Sequence, residues 1–163
     1  MTVRIERAAP RDVPLILQLI RKLAEYEKML DRMVSTEQDL SDALFGPRPV
    51  AETLLAYVDH QAVGFALYFE TFSTFRGRRG IYLEDLFVEP QHRGAGIGKR
   101  LLAEVAKVAR ERGGPEYGWM QWLVLDWNAP AIEFYRRLGA IPVEEWNSYR
   151  LQGEALARLA ADS

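Results

Sequence analysis

The stretch Val88-Glu-Pro-Gln-His-Arg-Gly-Ala-Gly-Ile-Gly98 constrains the fold of this chain more than any other segment. Residues 81–88 ahead of it form a β-rich run that Pro90 stops. Behind it, Leu101, Leu102, Val105, Val108 and Ala109 recur at helical spacing until Gly113-Gly114-Pro115. A strand therefore turns through Gly94, Gly96 and Gly98 straight into an amphipathic helix. Glycines let a ligand come close to the backbone, their N–H groups point inward together, and the helix N-terminus adds partial positive charge. Arg93, Lys99 and Arg100 flank the turn and offer charge-assisted hydrogen bonds, so the segment predicts a diphosphate site; the plain alternative is a glycine-rich turn. Its glycines do not fit the dinucleotide fingerprint, and no Lys-Ser/Thr pair completes a Walker-type loop.

Around this unit, strand and helix signals alternate. Residues 2–6 alternate with a period of two. Asp12 caps a helix with Pro14 in its first turn and Ile16, Leu19, Ile20 and Leu23 as its buried stripe, running to about Tyr26. Ser35 or Thr36 opens a second helix, with Gln38 three residues after Ser35 as in a capping box. Residues 53–58 and 62–70 read as a hairpin about Asp59-His60-Gln61. Residues 120–125 read as a strand buried on both faces. Asn128 then caps a helix that carries Pro130, Ile132, Phe134 and Tyr135 and stops at Gly139. Two weak strands, 141–143 and 148–151, precede a short helical tail. The pattern predicts an α/β or α+β fold of three layers, as one domain over residues 1–163, because no repeat or linker divides the chain.

Composition removes several chemistries. Without cysteine there is no disulfide framework, thiolate metal site or cysteine nucleophile. His60 and His92 show no ligand-like spacing, so no metal is expected; His60 sits in the hairpin tip and His92 reads as solvated. A formal charge of −2 gives no reason to invoke nucleic acid. No apolar stretch approaches the roughly 20 residues of a membrane helix and the N-terminus does not resemble a signal sequence, so a cytoplasmic protein off the membrane is expected. Arg76, Arg78, Arg79, Arg93, Lys99 and Arg100 make the middle basic, while Glu25, Glu27, Glu84, Asp85, Asp126, Glu144 and Glu145 are acidic. That division suits one anionic and one cationic ligand, although any single one of these charges reads more readily as solvated surface.

The spacing Arg93, Gly96, Gly98 matches Arg/Gln-x-x-Gly-x-Gly/Ala and resembles the pyrophosphate turn of the GCN5-related N-acetyltransferase (GNAT) superfamily. Leu23-Ala-Glu-Tyr-Glu-Lys-Met29, Tyr82-Leu-Glu-Asp-Leu-Phe-Val88 and Trp127-Asn-Ala-Pro-Ala-Ile-Glu-Phe-Tyr-Arg-Arg-Leu-Gly-Ala140 resemble, in the same order, parts of its diamine (spermidine/spermine) N-acetyltransferase family. The resemblance implies a mixed, mostly antiparallel central sheet flanked by helices, with central strands splayed to admit acetyl-CoA. It also implies a homodimer and acetyl transfer to a primary amine of a small molecule.

By the same resemblance, Leu86, Phe87 and Val88 bond the pantetheine arm, and Arg93, Gly94, Ala95, Gly96, Ile97, Gly98 and Lys99 hold the diphosphate. Asn128, Ala129, Pro130 and Ala131 line the far side of the coenzyme, and Tyr135 stands beside the thioester sulfur as the acid for the departing thiolate. Acetyl transfer needs a neutral amine, and an alkylamine of pKa about 10 is protonated at neutral pH, so a base is required. Glu84 is that candidate, acting through water, with a backbone N–H near Leu86 or Phe87 for the oxyanion. On a regular strand Glu84 and Asp85 would point to opposite faces. Tyr26, Glu27, Glu84, Asp85, Gln121, Trp122, Leu123 and Asn147 match the acceptor channel. Where polyamine-acetylating members carry an acid and a tryptophan this chain has Thr74 and Arg76, and Tyr149 and Asn147 replace a tryptophan and an acid. Less negative charge predicts a shorter acceptor, such as a lysine- or thialysine-like amino acid whose carboxylate meets Arg76 or Arg78. A protein or peptide N-acetyltransferase and a non-catalytic acyl-CoA sensor are the alternatives.

Overall fold

Alternating apolar residues and short turns produce a sheet in which β1 (Val3–Arg7), β2 (Glu52–Val58), β3 (Gln61–Ser73) and β4 (Arg78–Val88) run antiparallel in chain order. A fifth strand, β5 (Met120–Gln121), joins β4 in parallel. The structure is a computed structural model describing residues 2–162. These residues form two compact units, divided between Leu123 and Val124. The β2–β3 hairpin closes through Asp59 at φ 55°, a left-handed position that aspartate tolerates better than most residues.

Helices cover both faces of the first unit. α1 (Val13–Tyr26) ends where its apolar stripe ends. Asp12 acts one step earlier than predicted: its carboxylate accepts from the Ala9 N–H at 2.7 Å and closes the 3₁₀ turn before the helix. α2 (Glu37–Phe45) is capped by Thr36, whose hydroxyl accepts from the Asp39 N–H at 3.2 Å while Asp39 accepts from the Thr36 N–H at 2.8 Å. The capping box is therefore Thr36 and Asp39, not Ser35 and Gln38, since an ionised carboxylate is the stronger acceptor.

The layering follows from a register change. Leu67 pairs with Asp85 and Tyr68 with Leu83, leaving Glu84 as an extra residue in β4. Such a bulge reverses which face each later side chain takes. Ile81 and Leu83 therefore share a face with Leu86 and Val88, opposite Glu70, Tyr68, Ala66 and Gly64. Asp85 and Phe87 lie on the other face with Leu67 and Phe65. That second face packs against Val13, Ile16 and Leu19 of α1 and Leu40 and Leu44 of α2. α3 (Ile97–Gly113) packs on the first face, burying Leu101, Leu102 and Val105. Arg112 at its end forks onto Glu52 at 2.6 and 2.9 Å. Each large apolar side chain buried in these layers contributes about 1.5–3 kcal/mol.

Three strand predictions toward the C-terminal end fail in whole or in part. Only Met120 and Gln121 of the predicted 120–125 strand pair with β4, and Leu123 is 72% exposed instead of buried on both faces. The second unit contains α4 (Ala129–Arg137) and α5 (Gly153–Ala161). Its residues 141–143 and 148–151 form no strand, and Tyr149 is 93% exposed. A strand needs a neighbour for its N–H and C=O groups, and no described segment pairs with these.

Candidate functional site: an open strand edge beside a glycine turn

β4 loses its parallel neighbour halfway along. β5 pairs only at Ile81–Met120 and Tyr82–Gln121, so among the described residues no strand takes the same edge of β4 from Leu83 onward. The bulge at Glu84 falls just beyond that point, where an extra residue adds bend and twist. On this edge, Leu86 and the Val88 N–H have no strand neighbour and can meet an extended ligand, while the Val88 oxygen accepts from Arg93.

The glycine turn follows immediately. Gly94 and Gly96 sit at φ 84° and 77°, and a Cβ added at either would meet nothing within 4 Å. Backbone conformation, not crowding, therefore demands glycine there. α3 starts at Ile97 without a side-chain cap, and its first ladder bond runs from the Arg100 N–H to the Gly96 oxygen at 3.0 Å. The amides of Ile97, Gly98 and Lys99 precede that bond and lie outside the helical ladder, as an anion cradle requires. Ala95 is exposed between the two left-handed glycines, and Lys99 is exposed on the first turn.

Arg93 is engaged with the end of β4 and the end of α1. Its Nε–H donates to the Val88 oxygen at 2.8 Å, and its guanidinium carbon lies 4.4 Å from the Tyr26 ring centre and 5.6 Å from that of Phe87. Nearby, the buried Glu89 carboxylate accepts from Lys22 of α1 and from Gln91 at 2.9 Å. These ties between α1 and the turn link residues about 67 positions apart, as in Lys22 and Glu89, and no sequence pattern announces them.

Three carboxylates gather at the open edge: Glu27, Glu84 and Asp85. Asp85 is half-buried, and burial first, then the charges of Glu84 and Glu27, raise its pKa from 3.8 to about 7. Burial also raises Glu27, which follows Tyr26 at the end of α1. Glu84, the bulged residue, is exposed. Because of the bulge, Glu84 and Asp85 are not the simple opposite-face pair of a regular strand. Gln121 is exposed at the end of the β4–β5 ladder; Trp122 after it is half-buried.

Arg76 and Arg78 do not join this group. They lie over the rings of Trp119 at 5.8 Å and Tyr117 at 5.6 Å. Arg78 begins β4 six residues before Glu84, roughly 20 Å along an extended strand, too far for one amino-acid ligand to touch both within one chain.

In the second unit, Asn128 is buried and caps α4, its Oδ1 accepting from the Ala131 N–H at 3.4 Å. Ala129 and Pro130 form the first turn, and Tyr135 is half-buried with its ring 5.3 Å from that of Phe134. Asn147 lies in the exposed irregular segment before α5.

Known proteins resemble this chain in sequence and fold. The chain is 41% identical to the thialysine N-epsilon-acetyltransferase of Sus scrofa over 98% of each chain. It is 31% identical to an L-ornithine N5-acetyltransferase of Arabidopsis thaliana, covering 96% of this chain and 87% of that one. An integron cassette protein from the mobile metagenome of V. cholerae superposes with a TM-score of 0.79 at 28% identity over 99% of both chains. The pattern of the acetyltransferase (GNAT) family matches residues 17–140, spanning α1, the open strand, the glycine turn and α4. With the strand edge, the amide cradle and the mixed sheet all in place, the chain belongs to the GNAT acetyltransferase family and is an N-acetyltransferase.

Proposed function

We propose that the protein transfers the acetyl group of acetyl-CoA to the side-chain amine of a lysine- or ornithine-like amino acid. The observation that carries this reading is the acidic group of Glu27, Glu84 and Asp85 at the point where β4 runs open toward the amide cradle. Carboxylates draw an ammonium group, and the cradle suits a diphosphate. The relatives named for thialysine and ornithine support an amino-acid acceptor.

In this reading, the β4 edge from Leu86 to Val88 hydrogen-bonds the pantetheine arm, and the amides of Gly94 to Lys99 hold the diphosphate. Asn128 to Ala131 also belong to the coenzyme site. Bound acetyl-CoA supplies a thioester carbonyl as electrophile. Tyr26, Glu27, Asp85, Gln121, Trp122, Leu123 and Asn147 form the acceptor site. Glu84 takes the ammonium proton through water, freeing the nitrogen lone pair to form the new C–N bond. As the C–S bond breaks, Tyr135 donates its proton to the sulfur. No acetyl-enzyme forms. We read residues 1–163 as one catalytic domain that works in the cytoplasm as a homodimer; for the second copy, the support is large apolar side chains left exposed, such as Phe75 in the first unit and Trp146 in the second.

One observation favours a second assignment of the base. Asp85, with its pKa of about 7, is matched to proton transfer at neutral pH. The pH profiles of kcat/KM separate the two: Glu84→Gln loses the acidic limb if Glu84 is the base, and Asp85→Asn loses it if Asp85 is. The function itself is tested by thiol release from acetyl-CoA with lysine analogues, ornithine, diamines, polyamines, aminoglycosides and peptides. Turnover of peptides alone, or acetyl-CoA binding without any turnover, would sink it.

A further inference from the structure

Arg93 belongs to the motif by which the glycine turn is recognised, yet its side chain does not follow the turn outward. The Nε–H is committed to the carbonyl oxygen of Val88, the last residue of β4, at 2.8 Å. The same guanidinium lies 4.4 Å from the centre of the Tyr26 ring and 5.6 Å from that of Phe87. Tyr26 is the last residue of α1 and leads directly into Glu27. One planar cation therefore touches the end of the open strand, the residue beside its backbone edge and the end of the helix that carries the acceptor carboxylate.

We propose that Arg93 is a positioning residue for the amine pocket: its guanidinium holds Tyr26, and through it Glu27, against the end of β4. The inference rests on the acceptor site assigned above. Several facts support it. A guanidinium over an aromatic face is attracted to the ring quadrupole, and a planar group fits there as an ammonium does not. The bond to Val88 fixes the plane at one end, so the ring is held in place and not merely approached. The neighbouring Lys22–Glu89 pair anchors α1 to the same turn one helical turn earlier, so the end of α1 is tied down at successive turns. The diphosphate needs no help from this side chain, because the cradle amides of Ile97, Gly98 and Lys99 and the Lys99 side chain remain on the turn. The motif arginine then acts on the partner substrate, not on the coenzyme.

The test compares wild type with Arg93→Met, Arg93→Lys, Tyr26→Leu and the double variant Arg93→Met/Tyr26→Leu. Steady-state kinetics give KM for the best amine of the panel, and calorimetry gives Kd for acetyl-CoA. Loss of one cation–π contact and one hydrogen bond predicts a roughly three- to tenfold rise in amine KM for Arg93→Met. The Kd for acetyl-CoA changes less than twofold, and kcat at saturating amine changes little. Arg93→Lys keeps the charge but not the plane and restores only part of the loss. The double variant is no worse in amine KM than the worse single, because each removes the same contact. The proposal is overturned if Arg93→Met weakens acetyl-CoA several-fold and leaves amine KM unchanged, or if the two single effects multiply in the double variant. A wild type that binds no acetyl-CoA would overturn the functional reading itself. Should Arg93→Met fold poorly, Arg93→Lys and Tyr26→Leu carry the same comparison.

Discussion

Replacing Asp85 by Asn removes a negative charge from a place where the fold resists it. In the unfolded chain this carboxyl ionises at its ordinary 3.8; in the folded protein it keeps its proton until about 7, chiefly through burial and then through the charges of Glu84 and Glu27. Between those values the folded state binds the extra proton, so stability falls as pH rises. The slope is about 1.4 kcal/mol per pH unit, and the loss is complete just above pH 7. Over the whole window this sums to on the order of 3 kcal/mol, after allowance for the side chain's partial exposure. Asparagine has nearly the same shape and no charge to lose. Asp85→Asn is therefore expected to match wild type near pH 4 and to exceed it by on the order of 3 kcal/mol at pH 8, a rise in Tm of roughly 6–12 °C. Urea unfolding followed by tryptophan fluorescence at pH 4.5, 6 and 8 measures the difference between the two proteins, in which other titrating groups largely cancel. The same variant should lose tenfold or more in kcat/KM for the amine, since a carboxylate that destabilises the free protein is satisfied by a cationic substrate. Parallel pH dependence of stability in the two proteins would refute the reasoning.

Other positions give further checks. Gly96→Ala forces a Cβ into a left-handed position at φ 77° and should cost about 1–2 kcal/mol in urea unfolding while weakening acetyl-CoA binding in calorimetry. Tyr135→Phe, if Tyr135 is the acid, should lower kcat by about 10²-fold or more with amine KM little changed; normal turnover in stopped assays would remove that role. Gly80→Ala places a Cβ 2.1 Å from the Trp119 ring and should destabilise by about 1–3 kcal/mol, read as a lower urea midpoint. If Trp119 can move aside and the midpoint is unchanged, that packing is looser than it looks.

Sequence alone determined much of this protein. The helical stripe of α1, the hairpin about Asp59 and His60, the strand leading into Gly94 and Gly96, and the Asn128-capped α4 all arise from local chemistry, and local chemistry is written in neighbouring residues. The family motifs also lie in short contiguous runs. Tertiary structure alone decided three things. Glu84 became a bulge because register is set by the pairing of Leu67 with Asp85 and Tyr68 with Leu83, and that reversal put Asp85 on the α1 face. The predicted strands at 141–143 and 148–151 did not form, and the predicted 120–125 strand kept only Met120 and Gln121, because a β propensity is realised only where a neighbouring edge accepts its hydrogen bonds. Arg93 lies over the Tyr26 ring, a placement fixed by where the end of α1 lies in space. Contacts between residues far apart in the chain depend on how elements pack, and no local pattern encodes that.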